Sequence, residues 1–348
     1  MAEIIINNRT IGPGRPVYII AEMSANHGQD FQQAVRIIEA AKEAGADAVK
    51  LQTYTPDTLT INCEQEQFRI QGTIWQGKTL YELYGEAYTP WEWQPRLKEV
   101  ADGLGIDLFS TPFDATAVDF LESMRVPAHK VASFELVDHG LLRKVGATGK
   151  PVILSTGMAS LAEIDEAVHV LRESGAGGVA LLKCTSAYPA PPEAMNLRTI
   201  SHLAEAFAVP AGLSDHTLGI AVPVAAVALG ATIIEKHLTL SRADGGPDSP
   251  FSLEPSEFKA MAAAVREAES AMGQVSYALN EKERASRVFR RSLFVVRDIR
   301  AGETLNEENV RSIRPGHGLA PKYLDNVLGR RATRDIACGT PLNWELIG

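Results

Sequence analysis

Two hydrophobic rhythms take turns along this chain. Short apolar runs such as Tyr18 to Glu22 and Ala48 to Gln52 read as buried strands. Between them Phe31, Ala34, Val35, Ile38 and Ala41 keep helical spacing, with Asp30 placed to cap the helix and Gly45 to end it. The pattern then recurs. Helix Trp93 to Gly103 precedes strand Asp107 to Thr111, and helix Ala115 to Met124 precedes strand Lys130 to Ser133. Helix Leu141 to Ala147 leads to strand Val152 to Ser155, and the capping box Ser160-x-x-Glu163 opens another helix. Strand Val179 to Lys183 and helix Ile200 to Phe207 follow. Two last apolar runs, Val209 to Leu213 and Ala231 to Ile234, flank an Ala/Val-rich helix, Val222 to Leu229. Eight strands, each followed by a helix over roughly 280 residues, predict an α/β fold of (β/α)8 barrel type.

Three stretches depart from that rhythm. Residues 3 to 12 read as a β-hairpin turning at Asn7-Asn8. The segment from Thr53 to Thr89 has no clear core pattern and reads as a long loop over the barrel mouth. Its aromatics Phe68, Trp75, Tyr81, Tyr84 and Tyr88, with Trp91 just beyond, either pack on that mouth or touch a ligand. After a final helix near Glu257, Asn280 to Arg291 is charged, lacks an apolar stripe and reads as a linker. From Ser292 to Gly348, short strands alternate with turns (Leu293 to Val296, Gly302 to Leu305, Arg314 to Gly318, Ala337 to Leu342). The expected division is a barrel domain at 1–279, a linker at 280–291 and a small β-rich domain at 292–348. A domain that small is expected to pack on a partner.

Composition narrows the function classes. Hydrophobic content of 45% and charged content of 22% are those of an ordinary soluble protein, and no apolar run is long enough to span a bilayer. The first residues, Met1-Ala-Glu-Ile-Ile-Ile, lack the features of a signal peptide, so a cytoplasmic location is expected. A net charge of −9 argues against nucleic acid as partner. The charge is uneven: from Arg284 onward twelve Lys/Arg face seven Asp/Glu, a local +5 against −14 elsewhere. Such a basic tail suits a solvated face or a lid over an anionic ligand. Cys63, Cys184 and Cys338 share no metal spacing and form no even disulfide set.

The strand ends carry the candidate chemistry. His216 and His237 each follow an apolar run, so both imidazoles should emerge at the C-terminal rim of the barrel. With Glu22, Asp215, Glu235 and Asp248 as nearby carboxylates, the pair suits a divalent metal with open positions. Lys50 and Lys130 at strand ends, with Thr111, Ser133, Ser186 and Ser214, supply what a phosphate-and-carboxylate anion needs. An interior ammonium is costly without an anion, so pairing with Glu22 or Glu135 is the structural alternative. A Schiff-base role for either lysine is the chemical alternative. Anion binding accounts for more of these residues.

The motifs Ile20-Ala-Glu-Met-Ser-Ala-Asn-His27, Val49-Lys-Leu-Gln-Thr53, Phe109-Ser-Thr-Pro-Phe113, His129-Lys-Val-Ala-Ser-Phe-Glu135, Leu154-Ser-Thr-Gly-Met158, Gly212-Leu-Ser-Asp-His-Thr217, Glu235-Lys-His237, Gly246-Pro-Asp248 and Arg314-Pro-Gly316 resemble the sialic acid synthase family nearly end to end. The resemblance implies a barrel followed by an antifreeze-like (SAF) domain, and a homodimer in which that domain caps the neighbouring barrel. It implies condensation of phosphoenolpyruvate with an amino-sugar aldehyde, with Mn2+ or Mg2+ on His216 and His237. Lys50, Thr111, Lys130, Ser133, Ser186 and Ser214 would hold phosphoenolpyruvate. At position 186 the family usually has Asn. Glu22, Gln52, Tyr188 and Asp248 would hold the sugar, Arg314 would arrive from the other subunit, and Glu135 or Glu235 would serve the addition of water. Thr89-Pro-Trp-Glu-Trp93, Ser133-Phe-Glu135, Lys183-Cys-Thr-Ser-Ala-Tyr-Pro-Ala190 and Gly245-Gly-Pro-Asp-Ser-Pro-Phe-Ser-Leu-Glu-Pro255 look most like the branch that takes a 6-deoxy-2,4-diacetamido hexose. Phe134, Phe251 or Trp75 would line a pocket for its methyl group. The competing readings are a synthase of the same chemistry using N-acetylmannosamine or the legionaminic precursor, and a non-catalytic sugar-binding barrel.

Overall fold

Strands whose two faces are both apolar need cover on both, and here a closed barrel inside a ring of helices supplies it. The computed structural model describes residues 3–348, in two compact units, Met1–Gly273 and Gln274–Gly348. The first begins with the hairpin Ile4–Ile6 (β1) and Arg9–Ile11 (β2). Its barrel strands are Tyr18–Glu22 (β3), Ala48–Thr53 (β4), Asp107–Pro112 (β5), His129–Val131 (β6), Pro151–Ser155 (β7), Gly178–Cys184 (β8), Ala211–Asp215 (β9) and Ile233–His237 (β10). Among the described residues these eight run parallel in sequence order, and β10 closes on β3 with Ile233 opposite Tyr18 and His237 opposite Glu22. The expected barrel and hairpin are both present.

Side chains alternate with period two. Ile19, Val49, Leu51, Leu108, Leu154, Leu181, Leu213 and Ile234 point outward into one core shared with the helices. Tyr18, Ile20, Ala48, Phe109, Ile153, Ala180, Leu182 and Ile233 point inward and form a second core. The hairpin contributes Ile4, Ile6 and Ile11 to that interior core, so it plugs the N-terminal end of the barrel. Asn7 and Asn8 take φ of 45° and 63°, the left-handed pair that a two-residue hairpin turn demands. Gly178 lets the plug seat closely, since a Cβ there would stand 2.8 Å from Ile4 Cγ2.

The plugged end is tied by polar bonds. Tyr18 Oη donates to Asp107 Oδ2 at 2.6 Å, and Asn7 Nδ2 to Asp107 Oδ1 at 2.7 Å. Asp47 accepts from the Ile19 amide and from Arg266, both at 2.9 Å, and also pairs with Arg9 of the hairpin. These partners satisfy groups that would otherwise be stranded at the closure.

The irregular stretches hold more structure than their composition implies. Residues 53–89 carry short helices at Pro56–Leu59 and Leu80–Ala87, the latter with a capping box between Thr79 and Glu82. The charged stretch 280–291, read as a linker, lies within the second unit and contains a helix, Glu281–Ser286, capped by Asn280. Its polar surface needs no apolar stripe because none of its residues is buried. In the same unit Ser292–Val295 (β11) pairs with Val310–Ile313 (β12). The expected strands near 302–305 and 337–342 are reduced to isolated bridges, Thr304 with Arg331 and Phe294 with Pro341. Leu293, Val295, Leu305, Val310, Ile336 and Leu342 make this unit's own core.

Replacing Asp47 by Ala removes charge-assisted bonds to two partly exposed arginines and one amide. A loss of about 1–3 kcal/mol in unfolding free energy is expected, read from the urea midpoint.

Candidate active site

Two residues beyond each interior apolar side chain, the inward positions turn polar. Glu22 follows Ile20, Lys50 follows Ala48, Thr111 follows Phe109, Lys130 follows Ala128, Ser155 follows Ile153, Cys184 follows Leu182 and Glu235 follows Ile233. Register sets Glu22 beside Lys50, Gln52 beside Thr111 and Glu235 beside Ser214. Above this polar layer opens a cavity of about 520 Å3, within the range of small-molecule sites.

The layer is a buried charge network. Lys50 pairs with Glu22, lies 3.6 Å from Glu235 Oε1 and donates to Thr111 Oγ1 at 3.1 Å. Lys130 donates to Ser155 Oγ at 2.7 Å and to the Val131 carbonyl at 3.2 Å, with Glu235 Oε1 at 3.9 Å. The pairing partners are thus Glu22 and Glu235, and Glu135 stands apart. Burial pushes the Glu22 carboxyl up to about 7 despite Lys50. Burial also works against Glu235, but Lys130 and Lys50 outweigh it and hold that group below the usual carboxylate range. Glu135 faces the cavity with a buried Oε2 that has no partner, and burial pushes it up to about 7. Asp248 is raised by burial even though Ser24 donates to it.

His216 and His237 converge on the same cavity, their ring centroids 5.4 Å apart. Nδ1 of His216 lies 3.1 Å from the Thr185 carbonyl, which makes it the protonated nitrogen and leaves the Nε2 lone pair available. His237 is held well below its ordinary pKa by burial and by the neighbouring cations, so it stays neutral. Its Nδ1 is buried without a partner. With metal–nitrogen bonds of about 2 Å, two imidazoles at this spacing reach one ion. Burial opposes a charge on His216, yet Cys184 and the Thr185 carbonyl raise its pKa above the ordinary value. The donor set therefore fits a divalent ion. Among the described residues no group of three or more His, Cys, Asp or Glu is arranged to hold a metal ion.

Most of the residues singled out in the sequence meet here: Glu22, Lys50, Gln52, Lys130, Ser133, Glu135, Tyr188, Ser214, His216, Glu235, His237 and Asp248 all line the cavity. Others do not. Asp215 turns outward, where it forms a buried pair with Lys236 at 2.6 Å. Its odd position relative to Ser214 puts it on the opposite face of β9. Thr111 lies beneath the surface as the acceptor for Lys50. Ser186 is set back beside Cys184 Sγ at 3.8 Å and against Gly157. A Cβ at Gly157 would stand 2.4 Å from Ser186 Oγ and 2.8 Å from Ser133 Oγ, so glycine keeps those hydroxyls in place. Phe251 lies behind the imidazoles, 4.9 Å from the His237 ring, while Phe134 and Trp75 do line the cavity. Arg314 belongs to the second unit, where with Arg291 and Ile313 it borders a separate cavity of about 390 Å3.

Several lining residues carried no assigned role in the sequence. Ser155 and Cys184 obey the same period-two rule as the lysines, so alternation alone contained the signal. Cys184 lies 3.9 Å from His216 Nδ1; burial would raise its thiol, but His216 and Ser133 bring it down to about 7. Ser24 accepts from Gln52 at 2.9 Å and donates to Asp248, joining two loops. Leu59, Ile70 and Leu83 come from the segment that showed no core pattern.

Glu135 yields a pH prediction. Its folded pKa of about 7 exceeds the ordinary 4.5, so between those values the folded state holds a proton the unfolded state has released. The stabilisation is complete below pH 4.5 and lost as pH rises through 7. With chelator present, the urea midpoint should fall between pH 5 and pH 7.5, and Glu135→Gln should remove about 2 kcal/mol of that dependence.

Comparison with known proteins agrees with these features. The NeuB family model matches residues 37–277 and the SAF domain model residues 290–347. The pseudaminic acid synthase of Campylobacter jejuni is 48% identical over 328 residues, spanning 94% of this chain and 96% of that protein. The pseudaminic acid synthase of Helicobacter pylori is 44% identical, over 95% of this chain and 98% of its own. The crystal structure of N-acetylneuraminic acid synthetase from Leptospira borgpetersenii superposes with a TM-score of 0.73 at 33% identity, covering 82% and 94% of the two chains. The resemblance read from the strand-end motifs is thereby borne out over most of the sequence, and the chain belongs to the NeuB family.

Proposed function

We propose that this protein is a pseudaminic acid synthase, condensing phosphoenolpyruvate with 2,4-diacetamido-2,4,6-trideoxy-L-altrose to give pseudaminic acid and phosphate. One observation carries the reading: two buried ammonium groups and two converging imidazoles open onto a single cavity. The choice of sugar follows the relatives of 44–48% identity, which bear that name.

In this scheme the phosphate and carboxylate of phosphoenolpyruvate take up Lys50 and Lys130, whose present carboxylate partners yield to a doubly charged ligand. Ser133 and Ser214 add hydroxyl donors at its edge, Ser186 stands behind Ser133, and Thr111 positions Lys50. Glu22, Gln52, Tyr188 and Asp248 hold the sugar so that its aldehyde faces carbon 3 of phosphoenolpyruvate. Mn2+ or Mg2+ held by His216 and His237 would supply Lewis acidity at the aldehyde oxygen. The bond from carbon 3 to the aldehyde carbon forms as the aldehyde π bond breaks toward oxygen, which takes up a proton from solvent to become a hydroxyl, and positive charge develops at carbon 2. Glu235, kept anionic by the two lysines, stabilises that charge. Glu135, with its free oxygen and a pKa near neutrality, accepts the proton of the water that adds to carbon 2. Phosphate then departs from the tetrahedral carbon and leaves the 2-keto acid. Arg314 reaches the sugar from the second copy in a homodimer, its SAF domain capping the neighbouring barrel.

Phosphate release with phosphoenolpyruvate and each candidate sugar tests the reading. The diacetamido-trideoxy sugar should be preferred, chelation should abolish turnover and Mn2+ should restore it. Preference for N-acetylmannosamine or the legionaminic precursor would overturn the choice of sugar. Turnover by a His216→Ala/His237→Ala double variant would overturn the metal assignment. The dimer has its own test. Arg314→Ala and His237→Ala should each be nearly inactive, yet an equimolar mixture of the two should regain about a quarter of wild-type activity, since half its dimers are hybrids and each hybrid keeps one intact site of two.

A further inference from the structure

The cavity has two chemically different sides. Its floor, formed by strand ends, is charged. Its outer wall is apolar and comes from one segment: Leu59, Ile70, Trp75, Leu83 and Tyr84 all lie within residues 54–87. The barrel does not need this segment, which interrupts the path from β4 to the helix Gln94–Leu104, and ordering it costs chain entropy. Its helix Leu80–Ala87 is closed by a capping box, and Leu83 is buried. Trp75 is pinned: its indole N–H donates to the Pro247 carbonyl at 2.9 Å, next to Asp248. Its ring lies 5.7 Å from that of Tyr188, which lies 4.4 Å from the His216 ring. The adjacent Ile74 is 50% exposed, so the indole alone of this pair turns inward. Trp75 thus has a set position relative to the imidazoles.

Two substrates must divide this space. Phosphoenolpyruvate has little apolar surface and belongs on the charged floor. The sugar must bring its aldehyde to the imidazole end, so its far carbons extend toward the wall. We propose that Trp75 and the apolar wall select the sugar by its distal end, favouring a methyl group at carbon 6 over a hydroxymethyl group. This rests on the condensation proposed above. The only N–H of the indole is already donated to Pro247, so Trp75 offers a hydroxyl at carbon 6 no donor. Leu59, Ile70 and Leu83 offer no hydrogen bond either, and a hydroxyl buried among them loses its water. Tyr54, Thr73 and Tyr84 in this segment and Tyr188 beside Trp75 carry hydroxyls, which in this proposal serve the acetamido groups.

The test uses two pairs of aldoses that differ only at carbon 6. One pair is 2,4-diacetamido-2,4,6-trideoxy-altrose and its 6-hydroxy counterpart; the other is N-acetylmannosamine and its 6-deoxy analogue. The wild-type enzyme should favour the methyl member of an accepted pair about tenfold or more in kcat/KM. In Trp75→Ala that ratio should collapse toward one through a higher KM for the methyl sugar, with the KM for phosphoenolpyruvate within about twofold. Trp75→Phe should keep most of the ratio. A wild-type ratio near one, an intact ratio in Trp75→Ala, or an equal loss on all sugars and phosphoenolpyruvate would each overturn the proposal. A wild-type enzyme that rejects the diacetamido pair yet favours 6-deoxy-N-acetylmannosamine would support the wall and overturn the pseudaminic reading. Turnover of none of the four would overturn both.

Discussion

Buried charge cannot stand alone, and that constraint organises this molecule. Lys50 and Lys130 lie inside the barrel, 4% and 2% exposed, where an unpaired ammonium would be prohibitively costly. Glu22 answers Lys50 from the adjacent strand and Glu235 approaches both lysines from β10, while Thr111 and Ser155 accept from the lysines and Ser214 donates to Glu235. The network sets a carboxylate against each buried ammonium, while Glu235 Oε2 has no hydrogen-bond partner. The charged floor of the cavity is thereby kept assembled without a ligand.

The apolar half of the barrel makes that arrangement tolerable. Phe109, Ile153, Leu182 and Ile233 fill the lower interior, and the hairpin isoleucines seal its end against water. Rigid packing below holds the strand ends that carry the charges, so the polar layer inherits its spacing from an apolar one. The long segment after β4 performs the reverse service at the mouth, adding an apolar wall above a charged floor. The apolar wall and the charge compensation come from different parts of the chain.

Legibility in the sequence followed the range of the forces involved. Period-two alternation and turn chemistry act over a few residues, so the barrel strands, the Asn7-Asn8 turn and the capping box at Ser160 could be read directly. The same alternation, with the strand-end motifs, marked twelve of the cavity-lining residues. Where order depends on distant contacts the reading failed. Residues 53–89 showed no core pattern because Trp75 and Tyr54 find their partners at Pro247 and Phe113. Asp215 stands at a strand end like the cavity carboxylates, but its face of β9 commits it to Lys236.

The amino-acid sequence alone determined that eight strands would alternate with helices and that lysines, carboxylates and imidazoles would share one end of the barrel. Those facts follow from local periodicity and from the parallel direction that βα units impose. Only the tertiary structure decided which carboxylates compensate the lysines, that Glu135 keeps a free oxygen, and that the imidazoles approach to 5.4 Å. Register between strands and the path of a long loop set those distances, and both are settled by packing across the whole barrel.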